Sequence, residues 1–126
     1  MAVSFKTILL VEDELEVRLN LDLLLHLHPC HVDFAHDGLS AISKACLKRY
    51  DCILMDLSLP TLNGVESCKV IKKVLKSKSL PIPPIIALSE FPNLPLMDEC
   101  LDVGMTSILF KPLQPQHIQR LFLRLN

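Results

Sequence analysis

The 126-residue sequence predicts an α/β domain built around a parallel sheet, and three observations predict it. Short aliphatic runs (TILLV, CILM, IIAL) alternate with longer stretches of helical period. The runs are nearly continuous in apolar character, as in strands covered on both faces. Half of the residues are hydrophobic, only 5% are aromatic and Trp is absent, which suits an aliphatic core.

Taken in order, residues 7–11 form a buried strand followed at once by the acids Glu12, Asp13 and Glu14. A helix runs from Leu15 to about His28 and stops before Pro29, which disfavours helix in the residue preceding it. Residues 31–35 alternate weakly and make the second strand; residues 38–49 carry Ala41, Ile42, Ala45 and Cys46 on one helical face. Residues 52–55 are the third strand, ending at Asp56. A Pro-containing loop over 57–63 leads to a helix from Gly64 to about Leu75, and a polar, Pro-rich connection over 76–84 leads to a fourth strand at 85–88. Pro92 and Pro95 imply a short or irregular fourth helix starting late, near Leu96. Residues 107–110 are the fifth strand, Lys111-Pro112 closes it, and residues 115–125 are the last helix. Five β-α units account for the chain, with no repeat or linker, so residues 1–126 read as one domain.

In an open parallel sheet, ligands bind outside the carboxyl ends of the strands. The residues just past those ends are Glu12 and Asp13, Asp56, Ser89 and Lys111. Three carboxylates at one rim repel one another, and a hard divalent cation relieves this. Mg²⁺ suits such a set, since it takes oxygen ligands, keeps several waters and binds through one or two carboxylates plus a phosphate. No His or Cys stands at these ends, which argues against a zinc-type site. The Lys111 ammonium and Ser89 hydroxyl can contact the oxygens of a transferring phosphoryl group, where catalysis is mostly positioning and charge stabilisation. The set fits phosphoryl transfer onto Asp56.

The segments ILLVEDE, ILMDLSLPTLNG, PIIALSE and LFKPL, in that order and each at a strand end, resemble the receiver domain of two-component response regulators over essentially the full chain. The wording ECLDVGMTSILFKPL resembles receivers of hybrid sensor histidine kinases in particular. The resemblance implies a flavodoxin-like (βα)5 doubly wound sheet with strand order 2-1-3-4-5. It implies Asp56 as the phosphorylated residue and Asp13 as a direct Mg²⁺ ligand. Glu12 would act through a metal-bound water, and Ser58 would offer its backbone carbonyl to the metal. Ser89 and Lys111 would contact the phosphoryl group, the Lys111-Pro112 bond would be cis, and Pro60 and Gly64 would shape the loop after the phosphorylated strand. The implied donor is a phosphohistidine on a histidine kinase or histidine phosphotransfer protein, with a homodimer as a further possible assembly.

Two positions depart from the pattern. Ile108 stands three residues before Lys111, where many receivers carry an aromatic switch residue, so coupling from Ser89 to the fifth strand is expected to be muted or to use another side chain. Glu90 follows Ser89 where a small residue is common, and a carboxylate aimed at the rim would alter phosphoryl lifetime; pointing to solvent, it would do nothing.

Other features carry less. Formal net charge is −1, which gives no electrostatic footprint for nucleic acid or acidic lipid. Apolar runs are too short to cross a bilayer and MAVSFKT lacks the apolar stretch of a secretion signal, so a cytoplasmic protein, or the cytoplasmic part of a larger membrane-bound kinase, is expected. Five scattered cysteines without a C-x-x-C pair read as free thiols packing as small hydrophobes. His26, His28, His31 and His36 straddle a helix end, a proline and a strand, which disfavours convergence on one ion. In the first helix Val17, Leu21, Leu24 and Leu25 form a core stripe, and Leu15, Leu19, Leu23 and Leu27 a second one suited to partner docking. Three other functions compete. A receiver-like interaction module acting without phosphorylation is disfavoured by the intact rim. A haloacid-dehalogenase-type phosphatase needs a second Asp where Ser58 stands, and an FMN binder needs a phosphate loop after the first strand.

Overall fold

The computed structural model describes residues 5–91 and 93–126. Five strands, β1 (Lys6–Val11), β2 (Cys30–Ala35), β3 (Cys52–Asp56), β4 (Ile85–Ser89) and β5 (Ser107–Phe110), form one parallel sheet of order β2-β1-β3-β4-β5. Each is followed by a helix: α1 (Leu15–Leu25), α2 (Gly38–Leu47), α3 (Gly64–Ser77), α4 (Leu94–Asp102) and α5 (Pro115–Leu125). The expected fold class and strand order are therefore present.

Alternation along the strands splits the core in two, because successive side chains point to opposite faces. Leu9, Val11, Ile53, Met55 and Ala87 join Cys68 and Ile71 of α3 and Cys100 of α4 on one face. Ile8, Leu10, Leu54, Ile86 and Leu88 meet Leu21 and Leu25 of α1 and Ile118, Leu121 and Phe122 of α5 on the other. The all-buried β3 and β4 explain the continuous apolar runs. On α1 the two predicted stripes separate as the 100° period requires: Leu21 and Leu25 are buried, whereas Leu15, Leu19, Leu23 and Leu27 are exposed.

Strand boundaries differ from the sequence reading by at most one residue, α3 runs to Ser77 rather than about Leu75, and three other helix boundaries shift. Helix α1 ends at Leu25 because Leu27 N–H and His28 N–H turn back to the Leu24 and Leu25 carbonyls, tightening the chain before Pro29. Helix α2 stops at Leu47, and the extended Lys48 redirects the chain into β3. Helix α4 starts at Leu94, two residues earlier than expected. Asn93 caps it by accepting the Leu96 N–H, and Pro95 sits in the first turn, where a missing N–H costs nothing. The helix is still short, at nine residues; Pro92 lies outside the described residues.

All five cysteines are free, and four are buried. Burial pushes the Cys52 thiol up to about 12 and Cys68 up to about 11, so both are protonated packing groups. The histidines disperse: His28 stacks on Phe122, His31 on Phe5, and His26 pairs with Asp22. Among the described residues no helix is long and apolar enough to cross a membrane.

Candidate functional site

Parallel pairing delivers the rim residues to one place. Val11 lies opposite Met55, Asp56 opposite Leu88 and Ser89 opposite Phe110, so β1, β3, β4 and β5 all end at the same level. Backbone bonds stitch the exits together: Glu12 N–H to the Ala35 carbonyl, Leu57 N–H to Leu88, and Lys111 N–H to Ser89.

Carboxylate oxygens of Glu12, Asp13 and Asp56 lie within 4.8 Å of one another, the one such group of potential metal ligands among the described residues. Glu12 is fully buried and Asp56 nearly so, whereas Asp13 is exposed at the mouth. Lys111 Nζ donates to Glu12 Oε1 at 2.6 Å and pairs with Asp56 Oδ1 at 3.3 Å. Asp56 Oδ1 also accepts the Ser58 N–H at 3.1 Å, which places Ser58 beside the acid in the loop that follows β3. That loop is drawn in tightly. A Cβ on Gly64 would collide with the Asp56 carbonyl oxygen and stand 2.9 Å from Leu57 Cα. The Gly64 N–H donates to the Leu57 carbonyl. The Lys111-Pro112 bond is cis, as the resemblance implied.

Electrostatically the pocket carries more negative charge than its lysine offsets. Burial pushes Glu12 from 4.5 up to about 7; its hydrogen bond with Asp56 adds to this, and the Lys111 ammonium pulls it back. Lys111 is itself raised: burial alone would lower it, but the Glu12 hydrogen bond and the Asp56 charge outweigh that. Surplus negative charge among close, hard oxygen donors is the donor set a Mg²⁺ ion fits. Ser89 is buried, and its hydroxyl bonds within its own loop, to the backbone of Phe91.

The chain matches the family model described as the response regulator receiver domain over residues 8–122. It belongs to the response regulator receiver family. Response regulator ArlR of Staphylococcus haemolyticus is 35% identical over 121 residues, covering 94% of this chain and 50% of that protein. Hybrid signal transduction histidine kinase B of Dictyostelium discoideum is 34% identical over 96 residues, covering 68% of this chain and 5% of that protein. The chain thus spans half or less of the length of these relatives. Among solved structures, Vibrio cholerae chemotaxis protein CheY4 superposes with TM-score 0.86 at 27% identity, covering 98% of this chain and 100% of that one. The receiver domain of sensor histidine kinase PA1611 from Pseudomonas aeruginosa PAO1 gives 0.83 at 32% identity, covering 96% and 97%. That structure carries a magnesium ion coordinated in its active site cleft. The chain is a receiver domain of two-component signalling whose acidic pocket is of the phosphoacceptor type.

Every rim residue named from the receiver sequence pattern lies at a strand exit. Two contacts were not foreseen. The direct Glu12–Lys111 bond joins residues 99 apart in sequence, and no local pattern signals it. The Ser89–Phe91 bonds carry a weak signal, since Ser readily bonds backbone two residues on. Glu90 is exposed, in keeping with a side chain that faces solvent.

Proposed function

We propose that Asp56 accepts a phosphoryl group from a phosphohistidine on a histidine kinase or histidine phosphotransfer protein, on the cytoplasmic side of the membrane. A carboxylate oxygen of Asp56 attacks phosphorus, the P–N bond breaks, and the electron pair returns to the imidazole nitrogen. An aspartyl phosphate results, and its hydrolysis resets the domain. The observation that supports this best is a nearly buried carboxylate held by Lys111 and the Ser58 N–H beside two further acids.

Each residue has a role in that reading. Asp13, Asp56 and the Ser58 backbone carbonyl would hold Mg²⁺, with Glu12 acting through a bound water. When bound, the ion supplies positive charge for the equatorial oxygens of the transferred group. The Lys111 ammonium, already in the pocket, exchanges part of its contact with Glu12 for a phosphoryl oxygen. Ser89 turns its hydroxyl to another. Preorganised donors of this kind act where charge gathers, without the reorganisation that water would need.

Beryllofluoride, a phosphoryl mimic, tests the proposal. It is expected to bind in the presence of Mg²⁺, not in its absence, and not to Asp56→Asn, as read by ¹⁹F NMR. Absence of Mg²⁺-dependent binding would instead favour an interaction module that works without phosphorylation.

A further inference from the structure

A formal charge of −1 gives the whole molecule no footprint for acidic lipid, but the fold sorts its charges by end. Acids gather at the strand exits: Glu12, Asp13 and Glu14 after β1, Asp56 closing β3, and Glu90 after β4. Cations gather where strands begin: Arg49 before β3, Lys76 in the last turn of α3 and Lys78 at its end. All three are exposed, and among the described residues none of them forms a salt bridge. Lys48, beside Arg49, is already paired with Asp33. Asp51 and Asp102 stand at the same end. Asp51 accepts the Thr7 N–H, and Asp102 closes α4, which packs on the edge strand β5.

This end also exposes aliphatic side chains that the core does not use. Leu47 is 83% exposed, Leu80 40% and Ile82 39%. They come from the end of α2 and from the connection between α3 and β4, and they meet with Arg49 around one open cleft of about 360 Å³. The connection is stiff. Pro81, Pro83 and Pro84 fix their own backbone and restrict Leu80 and Ile82 before them. Its ends are pinned as well: the Leu80 N–H donates to the Leu75 carbonyl, and the Pro84 carbonyl accepts the Ile53 N–H, each at 2.9 Å. Ile82 is thus held at the surface with little entropy left to lose on contact.

A nucleic-acid backbone would engage the cations and leave Leu47 and Ile82 idle. A lipid surface engages both kinds of residue: aliphatics enter the acyl boundary while lysine stems reach back to the headgroups. We propose that the strand-entry end of this domain docks on an anionic membrane surface, through Leu47, Leu80 and Ile82 together with Arg49, Lys76 and Lys78. The cytoplasmic leaflet carries such lipids. Docked this way, the domain turns its acids away from the bilayer. The six residues of β1 set the rim roughly 17 Å further out, beyond the ~8 Å over which salt screens a charge. The headgroups therefore neither repel the acids nor cover Asp56.

The chain lacks Trp, so Ile82→Trp provides a lone fluorophore. Its emission is expected to move to the blue with vesicles of equal parts phosphatidylcholine and phosphatidylglycerol, and to hold with phosphatidylcholine alone. Phe91→Trp, exposed at the opposite end, is expected to show no change with either. In the wild-type background, the exposed-site changes Lys76→Gln and Lys78→Gln are each expected to weaken co-sedimentation with the mixed vesicles about fivefold. Lys69→Gln, two turns nearer the rim on the same helix, is expected to change it little. No retention on mixed vesicles, or equal retention on both kinds, would overturn the proposal. So would retention that the lysine changes abolish while the Ile82→Trp emission never moves, since that marks adsorption by charge with the apolar tip idle. Self-association without lipid that Lys76→Gln relieves would assign this surface to a second copy of the chain, and overturn it too.

Discussion

Two lysine–carboxylate clusters in this receiver look alike on paper and differ in what they leave over. At the rim, Lys111 bridges Glu12 and Asp56 at 2.6 and 3.3 Å. At the β2 edge, Lys48 pairs with Asp33 at 3.0 Å, and the Tyr50 hydroxyl donates to the same carboxylate oxygen at 2.8 Å. The edge cluster offers two donors to one acid and is satisfied. The rim cluster offers one ammonium to two buried acids, with Asp13 a third nearby, and is not. The pKa directions report the difference. Asp33 is lowered, first by the Tyr50 hydrogen bond and then by Lys48, whereas burial drives Glu12 upward. A balanced cluster holds a fold together; an unbalanced one is poised to take in charge.

Four perturbations would break or sharpen that contrast. Lys111→Ala leaves Glu12 and Asp56 buried without an ammonium and is expected to cost about 3 kcal/mol in Mg²⁺-free buffer, measured by urea unfolding. A cost near zero would mean that the acids are already relieved in some other way. Next comes pH. Glu12 has its folded value above its unfolded one, so the folded state binds more protons between 4.5 and about 7. Stability of the metal-free protein should therefore fall as pH rises through that window and level off above it. Glu12→Gln should flatten the fall, and parallel slopes in the two proteins would refute the assignment.

At the edge the sign reverses. Asp33 has a lowered folded value, so its contribution is complete above the ordinary 3.8 and is lost as pH falls through the depressed value. Tyr50→Phe is expected to cost about 1 kcal/mol at neutral pH, with the deficit shrinking in acid; a deficit independent of pH would mark a packing loss instead. Smallest of all is Lys48→Ala. Its side chain is half exposed, and the pair is expected to contribute under about 0.5 kcal/mol, within the scatter of melting curves.

Much of the rim cluster was legible from sequence for a physical reason. Parallel strands all run one way, so an acid after β1, an acid closing β3 and a lysine after β5 must share an edge once the five runs are recognised as strands. The two leucine stripes of α1 were legible because helical period alone sorts inward from outward residues. The edge cluster was not. Asp33 reads as one residue of a weakly alternating strand, and its partners lie 15 and 17 residues on, beyond any local pattern. The early start of α4 was missed because prolines were read only as obstacles. Capping by Asn93 converts Pro95 into a first-turn residue, and that requires knowing which side chain accepts the Leu96 N–H.

The burial of the cysteines has a practical side. Cys30, Cys52, Cys68 and Cys100 are sealed in the core, while Cys46 is partly exposed. Cys46 lines a separate cleft with Pro84, Asp51 and Ile53, at the entry end of the strands, across the sheet from the acids. A maleimide dye offered to the native protein should attach there once, with no cysteine removed by mutagenesis. The wild-type chain thus comes with a built-in handle at the far pole from its chemistry, where a probe or a surface tether can be mounted without obstructing the rim.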